Sequence, residues 1–157
     1  MKKIYFNINI CAACRSCEIA CAVEHSQSKL LHEAIREKKP PVQRVRVGSA
    51  EGRPLALQCR HCPDAPCIDA CKSGAMHKSE TGATQINRER CVGCWMCVMV
   101  CPFGVIAIDR EQKVALKCDL CVDSEKRACV DGCPTGAIFY GELEEFKEFA
   151  KGKSTPG

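Results

Sequence analysis

The chain has 157 residues, 16 of them cysteine, and a formal net charge of +4. With 5 Phe, 2 Tyr and 1 Trp it buries a thin core, so metal binding should supply much of its folding free energy. No apolar run approaches the ~20 residues of a membrane span, and the stretch from Met1 to Cys11 lacks the apolar segment of a secretory signal; the expected setting is a reducing cytoplasm, where cysteines ligate metal rather than form disulfides.

Residues Lys3 to Ile10 alternate loosely and carry Ile4, Tyr5, Phe6, Ile8 and Ile10, which predicts a short strand. It feeds a first motif, Cys11, Cys14, Cys17 and Cys21, spaced C-x2-C-x2-C-x3-C. Ala22 follows rather than proline, so a helix begun near Glu18 can run on to about His25. Leu30, Leu31, Ala34 and Ile35 have helical spacing, and Pro40 and Pro41 end that helix. The run Arg36, Glu37, Lys38, Lys39 reads as a solvated helix end or, more sharply, as a docking patch for an acidic partner. Val42, Val45 and Val47 predict a strand.

The second motif is Cys59, Cys62, Cys67 and Cys71, spaced C-x2-C-x4-C-x3-C, with Pro66 stiffening the loop before Cys67. His61 lies between two better-placed cysteines and is read as a donor to sulfur, or as an exposed side chain, rather than as a ligand. Ser73-Gly74-Ala75-Met76, a turn at Glu80-Thr81-Gly82 and a returning strand from Ala83 to Ile86 predict a hairpin. The third motif is Cys91, Cys94, Cys97 and Cys101, followed by Pro102. The same pattern then returns as Phe103-Gly104-Val105-Ile106, a turn at Asp109 to Gln112 and a strand from Lys113 to Leu116. The fourth motif, Cys118, Cys121, Cys129 and Cys133, carries a charged insert, Val122 to Ala128, that must loop outward. After it stands Thr135-Gly136-Ala137-Ile138. This recurrence at about 30 residues is an internal duplication, and each glycine is expected to permit a tight turn. Leu143, Phe146, Phe149 and Ala150 share one face of an amphipathic helix, and Gly152 to Gly157 should fray.

The third motif is the bacterial ferredoxin run for [4Fe–4S] clusters. Three cysteines at short intervals curl the backbone around one cubane face. The fourth sits on the helix that follows, points away and ligates a second cluster. All sixteen cysteines fall into four quartets with none left over. Zinc ribbons instead use two C-x2-C pairs separated by ~15–20 residues, whereas each quartet here lies within 11 to 16 residues. An oxidised cluster with its four thiolates carries about 2−, so four of them would bring the net charge to about −4. The formal basicity is therefore no sign of nucleic-acid binding. No Ser/His/Asp set, phosphate loop or carboxylate pair accompanies the quartets. Four cysteines per cluster leave no iron open for a substrate, which predicts electron transfer without catalysis.

The chain resembles the four-cluster iron–sulfur subunits of the dimethyl-sulfoxide-reductase type, which also serve formate dehydrogenases and hydrogenases. The resemblance runs from Cys11 to Ile138 and includes the C-x4-C spacing of motif two and the insert of motif four. Within that group the stretch from Cys11 to Lys29 looks most like the small ferredoxin-like carriers of carbon monoxide dehydrogenases. The chain is shorter than the membrane-enzyme subunits and has no C-terminal anchor, which favours a soluble carrier. The resemblance implies that motif one pairs with four and two with three. Cys11, Cys14, Cys17 and Cys133 would hold one cluster, and Cys118, Cys121, Cys129 and Cys21 its neighbour. Cys59, Cys62, Cys67 and Cys101 would hold the third, and Cys91, Cys94, Cys97 and Cys71 the fourth. The implied fold is α+β, with two interleaved ferredoxin-like units: an outer one of residues 1–58 and 110–157 and an inserted one of residues 59–109. The implied role is a relay of low-potential electrons from carbon monoxide dehydrogenase to a hydrogenase or flavin-dependent oxidoreductase. The alternatives are a subunit of a formate dehydrogenase or hydrogenase complex, or a non-redox assembly or sensing protein.

Four complete quartets predict about sixteen irons and as many acid-labile sulfides per chain, counting four of each per cluster. Anaerobic iron and sulfide analysis of the reconstituted protein checks this; about twelve irons would mean that one quartet is not a cluster site.

Overall fold

Ligand-bearing loops recurring about every thirty residues leave little room for long elements. In the computed structural model, which describes residues 1–152, the longest strands have six residues. The elements in chain order are β1 (Lys3–Phe6), α1 (Ser16–Glu24), α2 (Leu31–Ala34), β2 (Val45–Ala50), β3 (Arg53–Gln58), α3 (Pro66–Asp69), β4 (Met76–Lys78), β5 (Thr84–Ile86), α4 (Met96–Met99), β6 (Ala107–Asp109), β7 (Val114–Leu116), α5 (Ala128–Asp131), β8 (Ile138–Gly141) and α6 (Leu143–Gly152). The fraying expected from Gly152 onward falls, past Gly152 itself, outside the described residues. The chain divides into two compact units, residues 58–119 with Met1 and residues 2–57 with 120 onward.

In the second of these units β1 pairs antiparallel with β8, from Lys3 opposite Gly141 to Phe6 opposite Ile138. The chain's first strand is thus zipped to the strand after its last motif. Helix α6 packs on that ribbon: Phe146 stacks on Tyr5 at 5.0 Å between centroids, and Phe149 lies 4.8 Å from Phe139. The predicted apolar face docks only in part, because Leu143 is half exposed. Helix α1 packs on α5 and on β2, where the Glu18 carboxylate accepts the Val47 N–H.

Two local features differ from expectation. The predicted helix around Leu30–Ile35 is a single turn. The strand at Val45 is half of a hairpin, β2–β3, that the hydrophobic pattern concealed. Its turn residues Glu51 and Gly52 both have positive φ, 52° and 76°, the pair that a two-residue hairpin turn requires. Glu51-Gly52 was the available signal; Pro54 and the exposed Arg53 hid the strand that follows. The insert of motif four loops outward, with Val122, Asp123, Glu125 and Lys126 exposed. Arg127 does not point out with them: its guanidinium lies 4.7 Å from the Tyr140 ring centroid and donates to the Ser124 carbonyl at 2.9 Å.

In the unit of residues 58–119, hairpins β4–β5 and β6–β7 each follow a cysteine motif. Met76 stands opposite Ile86, and Ala107 opposite Leu116. The core is built from Met76, Cys97, Ile106 and Ala115, with Cys67, Ile68, Cys71, Ile86 and Cys101 packed against them. Sulfur and hairpin side chains share one interior, so cluster assembly and core formation are one event here.

The duplicated glycine turns out as expected. Gly74, Gly104 and Gly136 have φ of 65°, 59° and 64°. Their N–H groups donate to the carbonyls of Cys71, Cys101 and Cys133 at 3.0, 3.1 and 3.1 Å. Motif one has no such glycine, and α1 runs on past Cys21 to Glu24. Gly93 is left-handed for a second reason: a Cβ there would lie 2.5 Å from the Lys113 carbonyl oxygen, whereas a Cβ on Gly104 would meet nothing within 4 Å.

Those two surroundings predict different costs. Gly104→Ala should destabilise by about 1–2 kcal/mol through backbone strain alone. Gly93→Ala should add a packing cost of about 1–3 kcal/mol to the same strain. Denaturant unfolding of the holo variants under anaerobic conditions checks the order; equal midpoints would mean that the backbone relaxes away from Cβ at position 93.

Candidate metal centres

All four motifs open with one backbone device. The residue just before the second cysteine is Ala13, His61, Gly93 or Leu120, with φ of 54°, 46°, 65° and 62°. A left-handed residue there reverses the chain and folds its own N–H back toward the first sulfur. The Ala13 N–H lies 3.4 Å from Cys11 Sγ, and the His61 N–H 3.5 Å from Cys59 Sγ. Three of the four positions accept this strain with a Cβ, at about 1–2 kcal/mol each, because no other path brings thiols two residues apart to one point. His61 therefore serves through its backbone. The expectation of an exposed ring is corrected: His61 is 1% exposed.

A second left-handed residue, Arg15 (φ 60°) or Trp95 (φ 63°), sits at the N-cap of α1 or α4. It starts each helix so that the third cysteine, Cys17 or Cys97, falls in the first turn and turns inward, where both are buried. Burial pushes the Cys17 thiol up to about 11, with Cys133 adding to the effect. Burial likewise pushes Cys97 up to about 11, with Cys71, Cys91, Cys67 and Cys94 adding. Cys67 is raised by burial, then by Cys59 and Cys101. Without a cation, such thiols keep their protons at neutral pH. Only a positively charged metal core lets the thiolates share one cavity.

These neighbours cross motif boundaries. Cys17 of motif one lies within electrostatic reach of Cys133 of motif four, Cys97 of motif three within reach of Cys71 of motif two, and Cys67 of motif two within reach of Cys101 of motif three. One cavity is lined by Cys59, Cys62, Cys67 and Cys101 together, walled by Pro66, Phe103, Val105 and Ile106, with Thr84 at its side. Its metal donors are all sulfur and most of its walls apolar, which suits a soft iron–sulfur cluster shielded from water. Cys118 and Cys129 are buried and Cys121 half-buried. Cys21 Sγ accepts the Arg44 N–H at 3.2 Å.

The fourth cysteine of a motif is treated differently from the third. Burial again pushes Cys71 and Cys133 up, but hydrogen-bond donors outweigh it and hold both thiols below the usual cysteine range. The Met76 N–H reaches Cys71 Sγ at 3.3 Å, and the Ala137 N–H reaches Cys133 Sγ at 3.2 Å. The hydroxyls of Ser73 and Thr135 stand 3.6 and 3.7 Å from the same sulfurs. The glycine turn thus does two jobs: it ends the helix, and it aims the next amides at the outgoing sulfur. At motif three the hydroxyl position is taken by Phe103.

One charged residue near the cysteines escaped the sequence reading. Lys117 follows β7, whose three residues are all buried, and its ammonium donates to the carbonyls of Thr84 and Cys118. A lysine ending a fully buried strand beside a cysteine was the signal available. Among the described residues no helix is long and apolar enough to cross a membrane.

Comparison with known proteins agrees with this chemistry. The 4Fe-4S dicluster domain family matches residues 52–143. The chain is 42% identical to an iron-sulfur protein of Rhodospirillum rubrum, covering 92% of this chain and 84% of that one. It is 33% identical to the thiosulfate reductase electron transfer subunit PhsB of Salmonella typhi, covering 86% and 72%. It is 31% identical to the electron transport protein HydN of Escherichia coli strain K12, covering 91% and 89%.

Proposed function

The chain belongs to the 4Fe-4S dicluster domain family; it is an electron-transfer iron–sulfur protein of oxidoreductase systems, and we propose that it carries four [4Fe–4S] clusters and relays low-potential electrons from a carbon-monoxide-oxidising enzyme. It serves redox enzymes and catalyses no reaction itself; two of its relatives are named an electron transfer subunit and an electron transport protein. The observation that supports the four-cluster reading is that three outgoing cysteines, Cys133, Cys71 and Cys101, lie within electrostatic reach of the third cysteine of another motif, Cys101 sharing a cavity with Cys59, Cys62 and Cys67. On that basis Cys11, Cys14 and Cys17 take Cys133; Cys59, Cys62 and Cys67 take Cys101; and Cys91, Cys94 and Cys97 take Cys71. The same rule gives Cys21 to Cys118, Cys121 and Cys129.

Each bound cluster supplies one-electron exchange. The protein's own residues hold it, keep water off it and set its charge environment. All-cysteine ligation leaves each site anionic, which disfavours a further electron and sets potentials toward the lower part of the roughly −700 to +450 mV range. Cys14 and Cys94 are exposed, so the sites they belong to offer an entry and an exit for electrons. Val92 and Met99, two and five residues from Cys94 in the chain, are 69% and 79% exposed, apolar side chains that suit a partner interface. Arg36 and Lys38 are exposed, while Glu37 is drawn to the Ser28 hydroxyl at 2.8 Å. With Lys126 they are the candidate charged contacts, and association should weaken as salt rises. The likeness of Cys11–Lys29 to carriers of carbon monoxide dehydrogenases supports that donor, a hydrogenase or flavoprotein as acceptor, and a cytoplasmic setting.

Cys133→Ser should abolish or alter the same spectroscopic signal as Cys17→Ser and spare the signal lost in Cys129→Ser. The reverse would mean that each motif closes its own cluster. For the donor, anaerobic mixing with reduced carbon monoxide dehydrogenase should bleach the visible absorption faster than it bleaches a simple two-cluster ferredoxin. Equal rates would remove the dedicated donor and leave electron transfer in place.

A further inference from the structure

Lys117 is the most deeply buried lysine or arginine among the described residues, 2% exposed. Its ammonium donates to the Thr84 carbonyl and, at 2.6 Å, to the Cys118 carbonyl. Both partners are neutral, and among the described residues no carboxylate pairs with it. An ammonium has three donors, and the third has no acceptor among the described residues. A buried charge without a counter-ion is among the costliest arrangements a protein makes. An anion therefore belongs beside it.

The surroundings identify the anion. Thr84, itself fully buried, lines the same cavity as Cys59, Cys62, Cys67 and Cys101. Lys117 also lies close enough to Cys67 for its charge to act on that sulfur. We propose that Lys117 is the counter-cation of the cluster held by Cys59, Cys62, Cys67 and Cys101, and that it sets this cluster's reduction potential. The proposal rests on the ligand set given above. Reduction adds one electron from a redox partner to an already anionic cluster, with no bond made or broken and no proton moved. A fixed positive charge in a low-dielectric interior stabilises the more negative, reduced form more than the oxidised one. With Lys117 in place the cluster accepts an electron more readily than its four thiolates alone allow, so within the relay it is a place where an electron can rest.

The test compares Lys117→Gln and Lys117→Met, which remove the charge, with Lys117→Arg, which keeps it. The readouts are iron content and a potentiometric titration followed by electron paramagnetic resonance, with Cys67→Ser marking which signal belongs to this cluster. In both neutral variants that signal should become harder to reduce by at least tenfold in the reduction equilibrium, about 59 mV for a one-electron couple. Lys117→Arg should stay near the wild-type value. Loss of iron from this site in both neutral variants, with retention in Lys117→Arg, would equally support a counter-cation. An unshifted signal in an iron-complete neutral variant overturns the proposal. So does an equal shift or iron loss in all three variants, which would mark Lys117 as a clamp on two carbonyls. If Cys67→Ser keeps all its iron and every signal, the ligand set is what fails, and the counter-cation falls with it.

Discussion

Thiols that must face one another across a few ångströms of apolar interior are the constraint to which the backbone of this chain yields. Burial and mutual repulsion push Cys17 and Cys97 up to about 11 when no cation is present. The iron core reverses that penalty, and folding and cluster assembly are coupled through it. The left-handed residues before each second cysteine, the one-turn helices and the three-residue strands all follow from bringing sulfurs to a point. Strain at Ala13, His61 and Leu120 is tolerable because ligation contributes far more than the left-handed backbone costs.

The cysteines are not equivalent. The third of each run sits at the start of a helix, buried in motifs one, three and four and half-buried in motif two, and is raised, in motifs one to three, by its surroundings. The fourth leaves the helix at a glycine turn, in motifs two and four, and receives amide and hydroxyl donors. That division suits the tasks proposed for them: one sulfur closing its own loop, the other reaching a different run. Hydrogen bonds to sulfur and local charge are the means by which a protein tunes a cluster whose ligands are all cysteine. Here they vary from site to site, with hydroxyls at positions 73 and 135, an aromatic ring at 103 and a buried ammonium at Lys117. Motifs of one ligand type are thereby given unlike environments.

In the proposed function, partner recognition belongs to the surface around the exposed cysteines rather than to a substrate pocket. Electron exchange needs proximity and a dry path, not a bound small molecule. Exposed apolar side chains such as Val92 and Met99 let a partner exclude water, while exposed lysines and arginines affect how fast the two meet. Arg127 illustrates why a charged run need not be a docking site. Its guanidinium lies over Tyr140 and donates into its own loop, so that charge folds the insert instead of advertising it.

Ligand chemistry was legible in the sequence because cysteine spacing is a local property: two or three intervening residues determine which thiols can converge, wherever the loop ends up. The hairpins after motifs two and three and the glycine turns were legible for the same reason, as short-range patterns of turn residue and apolar alternation. The β2–β3 hairpin was obscured because Pro54 and Arg53 blur the alternation, and the burial of His61 because a polar side chain carries no local mark of its depth. Lys117 shows the limit most clearly. The sequence by itself determined that this protein gathers sixteen thiols into four quartets suited to iron–sulfur clusters. Only the tertiary structure decided that Cys17 comes within electrostatic reach of Cys133, and that a lysine thirty-three residues beyond Thr84 donates to its carbonyl beside a cysteine-lined cavity. Both depend on distances between chain segments far apart in sequence, and the energy of a buried charge depends on those distances and on the water that packing excludes.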